Sequence, residues 1–215
     1  MGHGLLHHID AGTKWLVSGA VFGVLLWRQD SAICWCVLGS VGAAANCKCL
    51  KVLINQSRPR GARKVDPGMP SSHAQSLGFL SIYFALDVAF PFSGPAQRVP
   101  TDSGRAAWAG MLVAGGLFGS WLRVAMGFHT TAQVAVGYAL GAASAVVWQS
   151  LYGYQVLPHL TPLLLRSLQG ATVLAGGLTW WLARWMEPQF SDDPDSPSRF
   201  AVKVLSDVAK DHRRE

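Results

Sequence analysis

Basic, imidazole and hydroxyl side chains gather in two short parts of this 215-residue chain. The first part contains Lys51, Arg58, Ser71, Ser72 and His73, and the second contains Arg123 and His129. Arginine binds two phosphate oxygens at once through its planar guanidinium, and lysine adds a compact positive charge. A neutral histidine can act as a nucleophile or transfer a proton. These residue types predict a site for an oxyanion with several negative oxygens.

The two histidines also raise the alternative of a metal site. We expect none, because Lys51, Arg58 and Arg123 would repel a cation. The chain also has two C-x-C pairs within one apolar segment: Cys34, Cys36, Cys47 and Cys49. A helix would separate the two pairs by roughly 20 Å, which is too far for one tetrahedral ion. We therefore predict buried, reduced thiols, no metal and no other cofactor.

The composition of the chain predicts that lipid surrounds much of it. Half of the residues are hydrophobic and only 14% are charged, whereas a soluble domain carries about 25% charge. The formal net charge of +6 is concentrated in short clusters. A nucleic-acid-binding protein would need a basic face and a recognition motif, and neither is present. Anionic lipid head groups are the expected partners, and the sequence does not indicate protein partners.

Six apolar stretches predict an all-α integral membrane bundle of about six transmembrane helices. They are 15–27, 31–50, 72–90, 106–122, 130–157 and 167–183. We expect residues 1–186 to form one transmembrane domain and 187–215 to form a polar linker and tail. The segment 191–198 reads SDDPDSPS, which is too polar and proline-rich to pack. The first ten residues lack the pattern of a secretory signal or transit peptide, so targeting is internal or a leader has been removed.

Alternating membrane crossings would bring the two groups of polar residues to the same membrane face. The loop between the second and third spans and the loop between the fourth and fifth spans open on one side. Ser72 with Gln75, and Thr130 with Gln133, match the capping-box pattern that starts a helix. A helix N-terminus offers unpaired N–H groups and a partial positive charge to an anion. The active site is therefore expected at one face of the membrane.

These residues form three motifs in order: K-x6-R-P (51–59), P-S-S-H (70–73) and L-R-x5-H-x3-Q (122–133). The set resembles the type 2 phosphatidic acid phosphatase superfamily, whose motifs are K-x6-R-P, P-S-G-H and S-R-x5-H-x3-D. The resemblance covers a motif core at 51–141 and implies a helical membrane fold. The run DPGMPSSHAQS looks like the dolichyl-diphosphatase branch. The Leu122-Arg123 pair and the run QVAVG look more like plant plastid lipid phosphate phosphatases of the epsilon type.

The resemblance implies a role for each motif residue. His129 would be the nucleophile that forms a phosphohistidine, and His73 the general acid and base. The phosphate-binding residues would be Lys51, Arg58, Ser71, Ser72 and Arg123. Ser72 stands where the family has glycine, and Leu122 stands where it has serine. Gln133 replaces the aspartate that orients the nucleophile, and it can accept a hydrogen bond from the imidazole but cannot neutralise an imidazolium.

The resemblance also implies a metal-independent phosphatase that converts phosphatidate to diacylglycerol. Two alternatives stay open. One is an enzyme acting on dolichyl (polyprenyl) diphosphate. The other is a catalytically weak membrane protein that binds phospholipid, which Gln133 makes conceivable. A multi-pass protein of the plastid envelope is favoured over one of the endoplasmic reticulum, and the sequence does not fix its orientation or oligomeric state.

Overall fold

The computed structural model describes residues 17–59, 66–90 and 102–186. Six α-helices and no strand occur within these ranges. They are α1 (Val17–Arg28), α2 (Ser31–Ile54), α3 (Ser72–Ala89), α4 (Asp102–Ala125), α5 (Thr131–Leu151) and α6 (Pro162–Met186). Beyond Leu151 the chain continues as a π-helical turn (Tyr152–Val156) and a 3-10 turn (Leu157–His159). The predicted all-α fold is confirmed for the described residues.

Each predicted apolar stretch overlaps one of these helices. Two of them are long and apolar enough to cross a membrane: α2, with 24 residues, and the continuous helical segment Thr131–His159, with 29. At about 1.5 Å per residue α2 is about 36 Å long, compared with about 30 Å for the hydrocarbon core of a bilayer. The apolar helix α1 is shorter than a span. The described residues thus contain two candidate membrane spans.

Glycines allow α5 to pack closely against α3. A Cβ atom on Gly137 would lie 2.6 Å from the backbone oxygen of Ser71, and one on Gly141 would overlap the backbone oxygen of Gln75. No other residue type lets two helix backbones come this near, which is how helices associate in lipid. The contact at Gly137 fixes the start of α3 against the first turns of α5. The predicted site residues His73 and His129 lie at these two helix starts.

A tryptophan pair joins α2 to α5. The rings of Trp35 and Trp148 stack with centroids 4.4 Å apart. Each indole N–H donates to the backbone carbonyl of the other residue, at 2.9 Å from Trp35 and 2.7 Å from Trp148. The core cluster beside them draws on α2, α3 and α5 and consists of Ile33, Cys36, Ala43, Phe79, Tyr83 and Ala145. These contacts fix α2 against the pair of helices that begins at the site.

A group of charged residues connects α1, α2 and α3. It lies at the other end of α2 from Lys51, at a distance of about 30 Å along the helix. Asp30 caps α2 by accepting the backbone N–H of Ile33 at 2.9 Å. Arg28, the last residue of α1, donates from Nε to Asp30 at 2.8 Å and from Nη1 to Asp87 near the end of α3. Paired in this way, the charges satisfy one another inside an otherwise apolar bundle.

The four cysteines are all free thiols. Cys34, Cys36 and Cys47 are buried as predicted, whereas Cys49 is exposed. The prediction was wrong for Cys49, which lies two residues beyond the buried Cys47 and points to another side of α2. Cys47 faces the neighbouring helices, so Cys49 faces away from them.

The chain divides into two compact units, one ending at Val173 and the other beginning at Leu174. The first unit contains all of the predicted site residues. Of the second unit, the structure describes the end of α6 as far as Met186. The predicted boundary at 186 stays a prediction, since the predicted tail at 187–215 lies outside the described residues.

Candidate active site

Four helix ends meet at the site. Lys51 lies in the last turn of α2, which Asn55 ends in the left-handed conformation. Arg123 lies in the last turn of α4, and a turn through Gly127, with φ of 71°, leads to His129 just before α5. His73 lies in the first turn of α3. The structure therefore brings the ends of these helices together as the alternation of spans predicted.

Arg58 makes the central contacts of the site. Its Nη1 lies 2.9 Å from Nε2 of His129 and donates to the backbone oxygen of Phe128 at 3.1 Å. Its Nη2 donates to both carboxylate oxygens of Asp66, at 2.8 and 2.9 Å, and its Nε donates to the backbone oxygen of Asp66 at 3.0 Å. One guanidinium thus joins the loop after α2 to the loop before α5.

Lys51 lies beside Arg58 on the same carboxylate. Its ammonium donates to Asp66 at 2.7 Å and to the backbone oxygen of Pro67 at 2.7 Å. Burial alone would raise the pKa of Asp66, but the hydrogen bond and charge of Lys51 and the charge of Arg58 lower it below its ordinary value. Asp66 is therefore ionised at neutral pH, and the two cations share one negative charge.

His129 is neutral at neutral pH. It is 4% exposed, and burial lowers its pKa from the ordinary 6.5 to about 4. The positive charge of Arg58 acts in the same direction, followed by the charges of Arg123 and Lys51, and the hydrogen bond that His129 donates to Gln133 opposes them. A neutral imidazole keeps a lone pair on one ring nitrogen, which is what a nucleophile requires.

Gln133 determines which ring nitrogen of His129 carries that lone pair. The side-chain oxygen of Gln133 accepts the backbone N–H of Thr130 at 3.2 Å and lies 3.2 Å from His129 Nδ1. Its amide nitrogen donates to the side chain of Gln56 and to the backbone oxygen of Ser57. Because this network fixes the amide orientation, Nδ1 must donate to the glutamine oxygen. The lone pair is therefore on Nε2, facing Arg58.

The two predicted capping boxes have different outcomes. Thr130 and Gln133 form one at the start of α5, as predicted. The box predicted for Ser72 and Gln75 is wrong: Ser71 caps α3 by accepting the N–H of Ala74. Gln75 is instead buried and donates to the backbone oxygen of Ala43 on α2 at 2.8 Å.

The remaining predicted phosphate-binding residues surround these contacts. Ser71 is buried, and its N–H donates to the backbone oxygen of Gln133 at 3.1 Å. Ser72 is exposed in the first turn of α3, with its hydroxyl 3.4 Å from the thiol of Cys47. Arg123 lies with its guanidinium carbon 4.3 Å from the centre of the Phe128 ring.

Asp66 is the functional residue that sequence reasoning missed. It is the carboxylate within a loop otherwise read as basic, and its position in the run DPGMPSSH gives the signal that could have identified it. Gly68 was missed as well: a Cβ atom there would lie 2.6 Å from the amide nitrogen of Gln133. Only glycine leaves room for the glutamine that orients His129.

The chain is similar in sequence to proteins that are named as phosphatases. Over 149 residues the chain is 36% identical to lipid phosphate phosphatase epsilon 2, chloroplastic, of Arabidopsis thaliana, covering 69% of this chain and 50% of the relative. It is 34% identical to lipid phosphate phosphatase epsilon 1, chloroplastic, of the same plant, covering 70% and 52%. It is 31% identical over 173 residues to dolichyldiphosphatase 1 of Plecturocebus moloch, covering 75% and 68%.

Basic side chains lie around a neutral histidine where the helix ends meet, an arrangement that suits an oxyanion. The chain belongs to the type 2 phosphatidic acid phosphatase superfamily. It spans about half the length of the two plant relatives. No family profile matches it, and no solved structure matches it.

Proposed function

We propose that the chain is a membrane lipid phosphatase that hydrolyses phosphatidate to diacylglycerol and phosphate. The observation that carries the proposal is the contact between Arg58 and Nε2 of His129. It combines a neutral imidazole nitrogen with a guanidinium at hydrogen-bond distance, inside a cluster that also holds Lys51. The names of the two plant relatives support a lipid phosphate as substrate.

In the proposed reaction, His129 Nε2 attacks the phosphorus atom and a nitrogen–phosphorus bond forms. The bond from phosphorus to the lipid oxygen breaks, and its electron pair leaves with that oxygen, which takes a proton from His73. His73 then removes a proton from water, whose oxygen attacks the phosphorus atom. The nitrogen–phosphorus bond breaks and its electron pair returns to His129 Nε2. Phosphate leaves, and His129 is neutral again. No metal or cofactor takes part in these steps.

The basic side chains would stabilise the charge that the phosphoryl oxygens carry in the transition state. Arg58 contacts His129, Lys51 shares Asp66 with Arg58, and the charge of Arg123 acts on the same imidazole from the end of α4. Ser71 and Ser72 would add hydroxyl or backbone donors at the start of α3. Gln133 would hold Nδ1, so that Nε2 faces the phosphorus atom.

The nucleophile is tested with His129→Ala in purified protein. Phosphate release from phosphatidate in detergent micelles should fall by about three orders of magnitude or more. His159→Ala is the matched control, because His159 is an exposed histidine in the 3-10 turn after α5 and should leave the rate unchanged. Release of phosphate by His129→Ala at the normal rate would show that another group attacks.

Dolichyl diphosphate is a second candidate substrate. It is favoured by the relationship to dolichyldiphosphatase 1, of which the chain covers 68%. Offering both lipids at equal concentration and measuring kcat/KM for each decides between them. Failure to release phosphate from either would favour the third reading, a protein that binds phospholipid without turning it over.

We also propose that the helices form a bundle of about six membrane crossings and that this membrane is the plastid envelope, with the endoplasmic reticulum as the alternative. The lengths of α2 and Thr131–His159 support crossings by these two segments. The word chloroplastic in the names of the plant relatives supports the plastid. Single cysteines at the exposed positions 57 and 125, in a chain without its native cysteines, test the topology. An impermeant maleimide should label both from the same side.

A further inference from the structure

Asp66 holds the cations of the site in the manner of a bound phosphate. Both of its carboxylate oxygens accept from Arg58 Nη2, and one of them also accepts from the Lys51 ammonium. Carboxylate and phosphate oxygens suit the same donors on an arginine. The side chain of Asp66 therefore fills positions that two phosphoryl oxygens would take.

The donors of Arg58 are all in use. A guanidinium has five N–H groups, and those of Arg58 point to Phe128, to His129 and to three oxygen atoms of Asp66. The side chain of Arg58 is only 6% exposed. A phosphate cannot simply be added to this arrangement. It must replace one of the acceptors.

Asp66 is the acceptor best placed to be replaced. The others are backbone oxygens and the imidazole of His129, which the capped start of α5 holds in place. The side chain of Asp66 is 33% exposed, compared with 10% for Lys51 and 6% for Arg58. It lies on a loop, and a rotation about its own side-chain bonds would release both cations.

We propose that the carboxylate of Asp66 competes with phosphate for Arg58 and Lys51. This inference rests on the proposed function, in which those two residues bind the phosphoryl group. When phosphate binds, the carboxylate leaves both cations, and the N–H groups that it releases on Arg58 and Lys51 donate to the phosphoryl oxygens.

The same exchange run in reverse helps the product to leave. Inorganic phosphate makes the contacts that the substrate phosphoryl group makes, so a cluster of unopposed cations would retain it. Asp66 returns to Arg58 and Lys51 as phosphate departs. Its charge therefore weakens the binding of substrate and product alike, and it shortens the time that product occupies the site.

The test is the affinity of Asp66→Asn for inorganic phosphate, measured by isothermal titration calorimetry in detergent. We expect the Kd to fall by about tenfold or more, which corresponds to about 1.4 kcal/mol. In turnover assays, KM and the inhibition constant of phosphate should fall together, while kcat stays level or falls. Asp66→Glu retains the carboxylate and should stay within about threefold of the wild-type Kd.

Asp30→Asn is the matched control. Asp30 is also paired to an arginine, and its side chain is 29% exposed, close to the 33% of Asp66. Asparagine caps a helix as well as aspartate does, so the Kd for phosphate should be unchanged. If Asp66→Asn does not fold, Asp66→Ser is the second uncharged variant and should show the same gain in affinity.

An unchanged or raised Kd in a folded, uncharged variant would overturn the proposal and make Asp66 a residue that only positions Arg58 and Lys51. Because phosphate binding is measured without turnover, this result differs from failure of the proposed function. Absence of lipid hydrolysis by the wild-type protein, together with a tighter Kd in Asp66→Asn, would refute the activity and leave the competition standing.

Discussion

Arg58→Gln tests how positive charge keeps His129 neutral. Arg58 Nη1 lies 2.9 Å from His129 Nε2, and its charge follows burial among the causes of the lowered pKa. Glutamine removes that charge and retains a side chain that can form hydrogen bonds. We expect the pKa of His129 to rise, because protonation would no longer bring two positive charges together.

The structure sets the size of this effect. The pKa of His129 lies about 2.5 pH units below 6.5, which is about 3 kcal/mol against the protonated form. Two charges about 4 Å apart interact by about 4 kcal/mol at an effective dielectric constant of about 20, which is an upper limit for one arginine here. Burial persists in the variant. We therefore expect the pKa to rise above about 4 and to stay below the ordinary 6.5.

The assay is an NMR titration of protein labelled in its histidine rings, with the spectrum of His129→Ala identifying the signal. Arg123→Gln is the control, because the charge of Arg123 lowers the pKa of His129 less than that of Arg58 does. A pKa that is unchanged or lower in Arg58→Gln would refute the reasoning. So would a larger rise in Arg123→Gln than in Arg58→Gln.

Three further outcomes are expected. Gly137→Ala should lower the Tm in detergent and reduce the free energy of unfolding by about 1–3 kcal/mol, because the new Cβ would lie 2.6 Å from the Ser71 oxygen. Gly42→Ala is the control and should be neutral or stabilising, because a Cβ there would have nothing within 4 Å. Arg123→Lys should lose most of its turnover, because lysine reproduces neither the fork nor the stacking on Phe128; turnover at the wild-type rate would make Arg123 a structural residue. Phosphate release should persist in excess EDTA, and a strict need for magnesium would contradict the proposed reaction.

The meeting of Arg58 and His129 could be predicted because it depends only on the direction of successive helices. Two consecutive antiparallel helices return the chain to the side on which it started. Every second loop therefore opens on the same side wherever the helices pack as neighbours. The capping box of Thr130 was also predictable, because it depends on residues within one turn of each other. The first prediction thus rests on chain direction and the second on local residue spacing.

Tertiary contacts decided what the sequence left open. Ser71 and Ser72 are equally good caps by residue type, and the extended backbone of Ser71 after Pro70 selects the first of them. Gln75 was unavailable for capping because a buried amide must find a partner, which it finds on α2. The direction of the Asp66 side chain depends on the path of its loop across the site, and residue spacing does not encode that path.

Gln133 limits how this site can vary during evolution. Its amide accepts from Thr130 and His129 with one atom and donates to Gln56 and Ser57 with the other. An aspartate or glutamate at 133 could serve only the accepting half and would turn an oxygen towards the oxygens at 56 and 57. A change to an acidic residue at 133 therefore requires compensating changes in the segment after α2. A substitution at 133 alone, or in the segment at 56 and 57 alone, is expected to be selected against. Position 133 and that segment should therefore change together.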